Sequence, residues 1–462
     1  MKLALKIRLE VDKKVEEILD SQSKILNWAY NHLLESANTM RKDYKVSLSQ
    51  ELATTLYSER GLRDVVPGLK TIYPFLKTVY SSPLKNAALR LSQAIQEYQK
   101  GQKGKRKDKV KWPKFRSWKR KYFSLQYDEP WKGYSLEAKS LKLQLGVNAE
   151  GKRLSIIVRL VEGFPIEQCR VKQLRIVKES GKFYAVFTID KEVVEVDKEN
   201  LLKPLCVRII ALDPNHKNLA YGVGTDLRAI EIDNLTKLKN IDERIDYLKS
   251  RRDRCVLDSK LVEYKRENGS VHKHYEPSRR YKHFDKLLQK AIVVRREQTK
   301  TYLYTIANKL CKEYEVIALG DYVPHGGGIT TKMRRAMNNR SLIGRFKQIV
   351  EWVAIRSGRI YLEYEEKGTT RTCHKVDCSY VVDGGLAPDI REWVCPKCQS
   401  FHIRDENAAQ NGLKIVFDKL NLPRLGLPLA VSERWAWQVL PSGVLALRGQ
   451  DSFSKEKQLP RN

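Results

Sequence analysis

The sequence contains no stretch of about 20 apolar residues, which is the length that a helix needs to cross a bilayer. Its first ten residues, MKLALKIRLE, alternate charged and apolar side chains and lack the apolar segment of a secretory signal peptide. We therefore expect a cytoplasmic protein with no membrane partner.

Acidic residues are scarce relative to basic ones, with 55 Asp and Glu against 87 Lys and Arg, so the formal net charge is +32. Such a surplus repels itself unless a polyanion neutralises it, and nucleic acid is the commonest polyanion. A membrane surface would instead require one basic amphipathic helix, whereas here the charge runs along the whole chain. We therefore expect a nucleic-acid partner and association with the nucleoid.

Cysteine is also scarce, with eight residues in 462. In a cytoplasmic protein we expect such cysteines to be metal ligands or free thiols rather than disulfides. Four of them stand in two close pairs, with sixteen residues between the pairs: Cys373, Cys378, Cys395 and Cys398. Four thiolates at such spacing predict a tetrahedral zinc site. The first pair encloses four residues rather than the usual two, so His374 or His402 could replace one sulfur.

The first part of the chain changes twice between strand and helix patterns. Residues 2–10 alternate as a half-buried strand does, and apolar residues in 12–40 recur at helical spacing. Further helical patterns lie near 47–60 and 83–99, and short alternating runs from about 133 to 195 indicate strands. We predict a small β domain that contains a helical insert.

After Pro204 the predicted strands become apolar on both faces. The run CVRIIALD ends at Asp213, EVIALGDY is a second buried strand, and RIYLEYEEKG is a third strand. The charged stretch 234–312 has helical spacing, and another helix begins near Glu406. The tail after Pro423 shows no clear pattern. These patterns predict an α+β chain of several domains.

The basic–aromatic segment, residues 103–121, holds eleven Lys or Arg against one acid, with three aromatic residues among them. Lysine and arginine neutralise phosphates, and aromatic rings stack on unpaired bases, so the segment suits RNA. The alternative is a solvated charged loop. The residues that we predict to contact nucleic acid are Lys105, Arg106, Lys111, Trp112, Lys114, Phe115, Arg116, Trp118, Lys119 and Arg120.

Two acids stand where apolar elements end or begin. Asp213 ends the strand CVRIIALD, and Asp405 starts the helix in HIRDENAAQNGL. A carboxylate at the end of a buried strand is costly to desolvate unless it binds a cation, and converging acids can hold a pair of Mg²⁺ ions. Each acid also has a simpler explanation, because Asp213 can start a turn and Asp405 can cap a helix.

The order of these features resembles the TnpB family of transposon-encoded RNA-guided nucleases and the related compact type V CRISPR effectors. The likeness is densest at GTTRTC, CPKC and HIRDENAAQNGL, and it extends over about residues 1–415. It implies an α+β multidomain fold. A small β-barrel wedge domain with a helical recognition insert is followed by a RuvC-like nuclease of ribonuclease-H fold, with inserted helices and a zinc ribbon.

The resemblance also implies domain boundaries. These are 1–11 and 122–204 for the wedge, 12–121 for the helical recognition domain with the basic–aromatic segment, 205–368 for the nuclease with its helical insert 234–312, 369–404 for the zinc ribbon, 405–423 for the final nuclease segment and 424–462 for the tail.

One position departs from the family pattern. The family's second acid is a Glu at the end of the strand EVIALGDY, where this chain has Gly320, and Asp321 follows on the opposite face. In the ribonuclease-H-like sheet that the resemblance implies, the strand RIYLEYEEKG is the neighbour of that strand. Adjacent strands lie about 4.8 Å apart, so a Glu at its end could reach the same metal ions. We predict that Glu366 supplies the acid, with Glu365 as the runner-up. Otherwise the acidic cluster is a solvated strand end.

The resemblance implies a guide RNA and a target double-stranded DNA with a short flanking motif as partners. It implies a Mg²⁺ site, with two ions, at Asp213, Glu366 and Asp405, and structural Zn²⁺ at the four cysteines. If the acid has moved, the protein is an RNA-guided DNA endonuclease. If the acid is lost, the protein binds DNA under RNA guidance without cleaving it.

Overall fold

The computed structural model describes residues 2–105, 110–116, 122–137, 139–164, 170–190, 207–215, 217–235, 238–265, 271–322, 341–387, 389–423, 430–440 and 443–448. The chain divides into two compact units, Met1–Glu192 and Val193–Asn462. Both contain helices and a seven-stranded sheet, so the predicted α+β fold of several domains is confirmed at this level.

The strands of the first unit form one antiparallel sheet. They are β1 (Lys2–Glu10), β2 (Leu125–Tyr127), β3 (Tyr134–Glu137), β4 (Ser140–Val147), β5 (Arg153–Leu160), β6 (Arg170–Glu179) and β7 (Lys182–Asp190). Their order is β2-β6-β7-β1-β5-β4-β3. Along β1 the alternation places Ile7 and Leu9 in the core, as predicted. Among the described residues no ladder joins β2 to β3, so the predicted barrel is an open half-barrel there.

Helices fill the chain between β1 and β2, where the sequence predicts an insert. They are α1 (Lys13–Ser47), α2 (Gln50–Tyr57), α3 (Gly61–Asp64), α4 (Val66–Ile72), a short 3-10 helix (Pro74–Thr78) and α5 (Ser81–Gln102). Asp12 caps α1, since its Oδ1 accepts a hydrogen bond from the N–H of Val15 at 2.7 Å. The inward face of α1 buries Leu19, Leu26 and Leu33 in the core that it shares with the sheet.

The second unit is built on a mixed sheet. Its strands and helices are β8 (Ile209–Asp213), β9 (Ala220–Gly224), β10 (Arg228–Ile232), α6 (Lys239–Arg254), β11 (Lys260–Lys265), β12 (Val271–Glu276), α7 (Arg279–Glu313), β13 (Val316–Gly320), α8 (Ile343–Arg356), β14 (Ile360–Tyr364), β15 (Glu392–Val394), β16 (Phe401–Ile403), α9 (Arg404–Lys419), β17 (Glu433–Leu440) and β18 (Gly443–Arg448).

The large sheet has the order β14-β13-β8-β9-β10-β17-β18. Strands β8, β9 and β10 form an antiparallel meander, whereas β13 and β14 run parallel to β8. Helices cover both faces: Ile210 and Leu212 of β8 pack with α7 and α8, and Ile209 and Ala211 pack with α9. This two-sided burial is what the apolar run CVRIIALD predicts.

Two parts of the second unit differ from the sequence patterns. The stretch predicted to be helical, 234–312, contains the hairpin β11–β12 between α6 and α7, whose β-branched and aromatic residues, Val262, Tyr264, Val271 and Tyr275, favour strands. The tail adds β17 and β18 to the large sheet, with β17 parallel to β10. Trp437 of β17 is buried against α7, so this part of the tail belongs to the core. None of the helices in the described ranges combines the length and hydropathy needed to span a membrane.

Candidate active site and metal centre

The parallel arrangement of three strands brings the predicted acids to one edge of the large sheet. Asp213 is the last residue of β8, Gly320 is the last residue of β13, and Glu366 follows β14 by two residues. Leu212 pairs with Leu319, and Gly320 pairs with Tyr364. The carboxyl ends of neighbouring parallel strands therefore meet at this edge.

The side chain of Glu366 occupies the space that a side chain at position 320 would need. A Cβ placed on Gly320 would overlap with Oε1 of Glu366 and would lie 2.5 Å from its Cγ and Cδ. Glycine at position 320 is thus the residue that lets the Glu366 carboxylate reach the end of β13. Glu365, the runner-up, is exposed.

Backbone hydrogen bonds hold Glu366 at this point. Its N–H donates to Oδ1 of Asp321 at 3.1 Å, and the N–H of Asp321 donates to the carbonyl of Tyr364 at 2.9 Å. The buried Oε1 of Glu366 has no hydrogen-bond partner within the described chain. Asp321, which the sequence placed on the opposite face, therefore positions Glu366 through its carboxylate.

The surroundings of Glu366 disfavour its negative charge. Burial raises the pKa of Glu366 to about 7, and the nearby carboxylate of Asp321 acts in the same direction. The N–H of Tyr322 and the ammonium of Lys347 oppose this shift. Lys347 is itself fixed, because its Nζ donates to the carbonyl of Asp321 at 3.0 Å and lies 3.2 Å from Oε1 of Glu363.

Glu366 and Asp405 both lie within electrostatic reach of Asp213. Burial raises the pKa of Asp213 well above its ordinary value, and the charges of Glu366 and Asp405 raise it further, against the weaker opposing effect of Arg404. Asp405 stands in the first turn of α9, and its Oδ1 lies 3.5 Å from Nη1 of Arg391. Asp213 is thus repelled by two other carboxylates, and a cation bound beside it would relieve this repulsion.

Tyr364 connects the elements that carry these acids, and the sequence analysis did not single it out. Burial and the nearby charges, led by that of Asp213, raise the pKa of Tyr364, so it stays protonated. Its hydroxyl donates to the carbonyl of Leu212 at 2.9 Å, next to Asp213. Its ring packs so closely on α9 that a Cβ at Gly412 would meet it at 2.5 Å. The sequence contains one signal for this role, which is a tyrosine at the end of a predicted strand.

The three acids fit a Mg²⁺ site in chemistry, because they offer carboxylate oxygens, one of them buried and unpartnered. Their oxygens are not all within 4.8 Å of one another, since among the described residues only the four cysteines bring three or more ligand atoms that close together. Tyr322 and Lys347, which act on Glu366, also line a cavity of about 500 Å³ together with residues that include Arg345, Gln348 and Glu363.

The four cysteines predicted to bind zinc form one cluster. Their sulfur atoms all lie within 4.8 Å of one another, with Cys373 and Cys398 3.7 Å apart and Cys378 and Cys395 3.6 Å apart. The N–H of Cys395 donates to the carbonyl of Ser400 at 2.9 Å, which closes the second pair into a tight turn. This set of four sulfurs fits tetrahedral Zn²⁺.

The two histidines considered as substitutes lie beside the cluster. Nε2 of His402 is 3.2 Å from the sulfur of Cys373, whereas Nδ1 of His374 lies 3.1 Å from Oδ1 of Asn407 on α9. Burial raises the pKa of Cys373 to about 12, whereas hydrogen bonds with Ser400 lower the pKa of Cys398 to about 6. The four sulfurs are the atoms that come together, so they and not the histidines fit the predicted ligand set, and metal binding would release a proton from Cys373.

We expect zinc in a one-to-one ratio with the protein, measured by elemental analysis. Cys395→Ser should lose the metal and lower the melting temperature of the second unit, because a structural zinc contributes folding free energy directly. Cys311→Ala is the matched control, since Cys311 is buried in the core of α7 and should leave the zinc content unchanged. Well-folded wild-type protein without zinc would contradict this prediction.

The described part of the basic–aromatic segment packs on α1. The guanidinium of Arg116 lies 3.6 Å from the ring of Tyr30, and its backbone exchanges hydrogen bonds with Asn31. Nε1 of Trp112 donates to Oδ1 of Asn38 at 2.7 Å. The remaining described members are exposed: Lys105, Lys111, Lys114 and Phe115. Four others lie outside the described residues: Arg106, Trp118, Lys119 and Arg120.

These contacts divide the segment by role. Arg116 and Trp112 anchor it to the protein, and the exposed lysines with Phe115 leave their charged and aromatic groups available to a ligand. Nucleic-acid contact by the exposed residues stays a prediction.

Residues 344–412 match the family model of the Cas12f1-like TNB domain. This range runs from α8 through β14 and the four cysteines into α9, so it includes Glu366 and Asp405. No curated protein matches the chain.

Solved structures of type V effectors align with most of the chain at low identity. A Cas12f1–sgRNA–target DNA complex has 11% identity and a TM-score of 0.45, with 89% of this chain and 98% of that chain covered. CasPhi-2 (Cas12j) bound to crRNA has 10% identity, a TM-score of 0.41 and coverage of 89% and 98%. Alicyclobacillus acidoterrestris C2c1 with a single-guide RNA has 10% identity, a TM-score of 0.40 and coverage of 96% and 74%.

The range that matches the family model therefore contains the motifs that carry most of the sequence resemblance, which are the paired cysteines and HIRDENAAQNGL. Over residues 344–412 the chain is similar to the Cas12f1-like TNB domain, which confirms there the predicted likeness to the compact type V effectors.

Proposed function

We propose that this chain is an RNA-guided DNA endonuclease with a RuvC-like, Mg²⁺-dependent site in which Glu366 replaces an acid at position 320. The observation that carries the proposal is the Glu366 carboxylate in the space beside Gly320, at the strand edge that also holds Asp213. The similarity of residues 344–412 to a Cas12f1-like TNB domain supports it, because that range contains Glu366 and Asp405.

The sheet of the second unit supports a ribonuclease-H-like fold. Its meander β8–β9–β10 is extended by β13 and β14, both parallel to the strand that carries Asp213. We assign 205–368 and 405–423 to the nuclease domain and 369–404 to a zinc ribbon. We assign 1–11 and 122–204 to a wedge domain and 12–121 to a recognition domain.

The residues suggest how the site would work. Asp213, Glu366 and Asp405 would hold Mg²⁺, which activates water and stabilises the leaving oxygen during phosphodiester hydrolysis. Asp321 and Tyr364 orient two of these acids through hydrogen bonds to the backbone at Glu366 and Leu212. The cavity lined by Arg345 and Gln348 offers room and polar groups for the backbone of the DNA strand.

Guide RNA and target DNA follow as the partners. Base pairing with the guide would read the sequence, while the protein would read duplex shape and a short flanking motif. The net charge of +32 supports such partners, since each phosphate contact needs a cation from the protein. The exposed lysines of the basic–aromatic segment are candidates for these contacts.

A guided cleavage assay tests the proposal. RNA that copurifies with the protein is sequenced, its guide is reprogrammed, and the complex is given plasmids with a randomised flanking sequence. We expect Mg²⁺-dependent cleavage by the wild type, and its loss in Asp213→Ala with binding retained, because phosphate contacts elsewhere hold the DNA. Bound but uncut DNA with the wild type would favour the guided DNA-binding protein without nuclease activity.

A further inference from the structure

Four aromatic rings form a cluster at the surface of the first unit. We call it the aromatic patch and define it as Trp28, His32, Tyr73 and Phe75. Trp28 and His32 of α1 are stacked, with ring centroids 5.0 Å apart and an angle of 6° between the planes. Tyr73 and Phe75 meet Trp28 edge-on, with centroids at 4.8 and 4.9 Å.

Tyr73 anchors the patch on the core, whereas two of its other rings are exposed. Leu26, Ala29 and Leu33 of α1 are buried, whereas Trp28 remains 37% exposed and Phe75 42% exposed. Aromatic pairs usually gain most of their free energy by burial. A cluster of large rings that the fold orders but leaves accessible is therefore typical of a binding surface.

The surroundings of the patch favour a polyanion. Lys24 precedes Trp28 by one helical turn, Lys77 follows Phe75 by two residues, and both are exposed. The basic–aromatic segment and Tyr122, which follows it, contact α1 at the neighbouring positions 27 and 31. Asn27, next to Trp28, donates to the carbonyl of Tyr122 at 2.8 Å, and Asn31, next to His32, donates to the carbonyl of Arg116 at 3.0 Å.

We propose that the aromatic patch stacks on unpaired nucleobases of a bound single strand. Unpaired bases expose their faces to aromatic rings, whereas bases inside a duplex cover theirs with neighbours. The nearby lysines would neutralise the phosphates of the same strand. The proposal rests on the proposed binding of nucleic acid and is independent of cleavage.

The proposal is tested with a single-stranded RNA and a single-stranded DNA of the same sequence. In each, 2-aminopurine replaces one base at a time along the strand. Stacking quenches this fluorophore, so titration of full-length, RNA-free protein in Mg²⁺-free buffer reports both affinity and stacking. We expect Trp28→Ala to weaken binding about 5- to 150-fold and to abolish quenching at one or two positions. Trp28→Phe should retain most of the affinity, because it keeps a ring.

The matched control is Tyr247→Ala, an aromatic residue of α6 in the second unit that is 60% exposed, and it should bind as the wild type does. The salt dependence of binding separates stacking from charge. Trp28→Ala should keep the wild-type slope of affinity against salt, since no phosphate contact is lost, whereas Lys24→Ala should reduce it by about one. Loss confined to the RNA or to the DNA would assign the strand.

Unchanged affinity and quenching in both Trp28→Ala and Phe75→Ala would overturn the proposal. It would also be overturned if these variants changed the oligomeric state in light scattering and left nucleic-acid affinity intact, because the patch would then be a protein interface. Circular dichroism checks that each variant is folded. If Trp28→Ala does not fold, Phe75→Ala decides, since its ring lies at the outer edge of the helical core.

Discussion

Gly320→Ala is expected to abolish guided DNA cleavage while leaving the protein folded. The added methyl group would overlap with Oε1 of Glu366, which is the far end of a flexible side chain and can move away. The free energy of unfolding should therefore change little, but the carboxylate of Glu366 would no longer lie at the end of β13. A displacement of about 1 Å costs roughly 100-fold in catalysis, so a loss of at least that size is expected.

Cleavage rates and thermal unfolding of Gly320→Ala measure the two effects separately. Gly68→Ala is the matched control, because no atom lies within 4 Å of a Cβ at that helical position. Gly320→Glu combined with Glu366→Ala should restore part of the lost activity, since a carboxylate would return to the same edge from β13. Full activity in folded Gly320→Ala would show that Glu366 is not the metal-binding acid.

Glu366→Gln is expected to remove cleavage and to stabilise the Mg²⁺-free protein above about pH 7. Burial raises the pKa of Glu366 from 4.5 to about 7 in the folded state, so the folded chain binds this proton more tightly than the unfolded chain does. The resulting stabilisation is complete below about pH 4.5 and is lost as the pH rises through about 7.

At about pH 8 the folded protein therefore carries a charge that its surroundings disfavour by up to about 3 kcal/mol. Glutamine removes that charge, so the free energy of unfolding should rise by a sizeable part of this amount. Urea unfolding in Mg²⁺-free buffer at about pH 5 and about pH 8 measures the difference. Glu365→Gln is the control. Because Glu365 is exposed, the cleavage activity and the stability of this variant should match those of the wild type.

Reversed results would reassign the acid. Loss of cleavage in Glu365→Gln with full activity in Glu366→Gln would move the assignment by one residue. Stabilisation in Glu366→Gln without loss of cleavage would make Glu366 a buried structural carboxyl and would leave Asp321, which directly follows Gly320, as the next candidate.

Local pattern alone predicted the buried strand β8 and the sulfur cluster. Strand β8 is apolar on both faces because both faces are covered, and this shows directly in its composition. The cysteines of each pair are close in sequence, so short turns bring their sulfurs together. The strands β17 and β18 escaped prediction because their register depends on β10, some 200 residues earlier in the chain.

The acidic site shows most clearly which features the sequence determines and which depend on the tertiary structure. The sequence by itself determined that Asp213 ends a buried strand, that Asp405 starts a helix and that Gly320 carries no acid. Only the tertiary structure decided which of Glu366 and Glu365 lies beside Gly320, because both follow the end of β14, where alternation no longer sets side-chain direction. The hydrogen bond from the Glu366 N–H to Asp321 and the open space over Gly320 set that direction, and both come from the parallel pairing of β13 with β14.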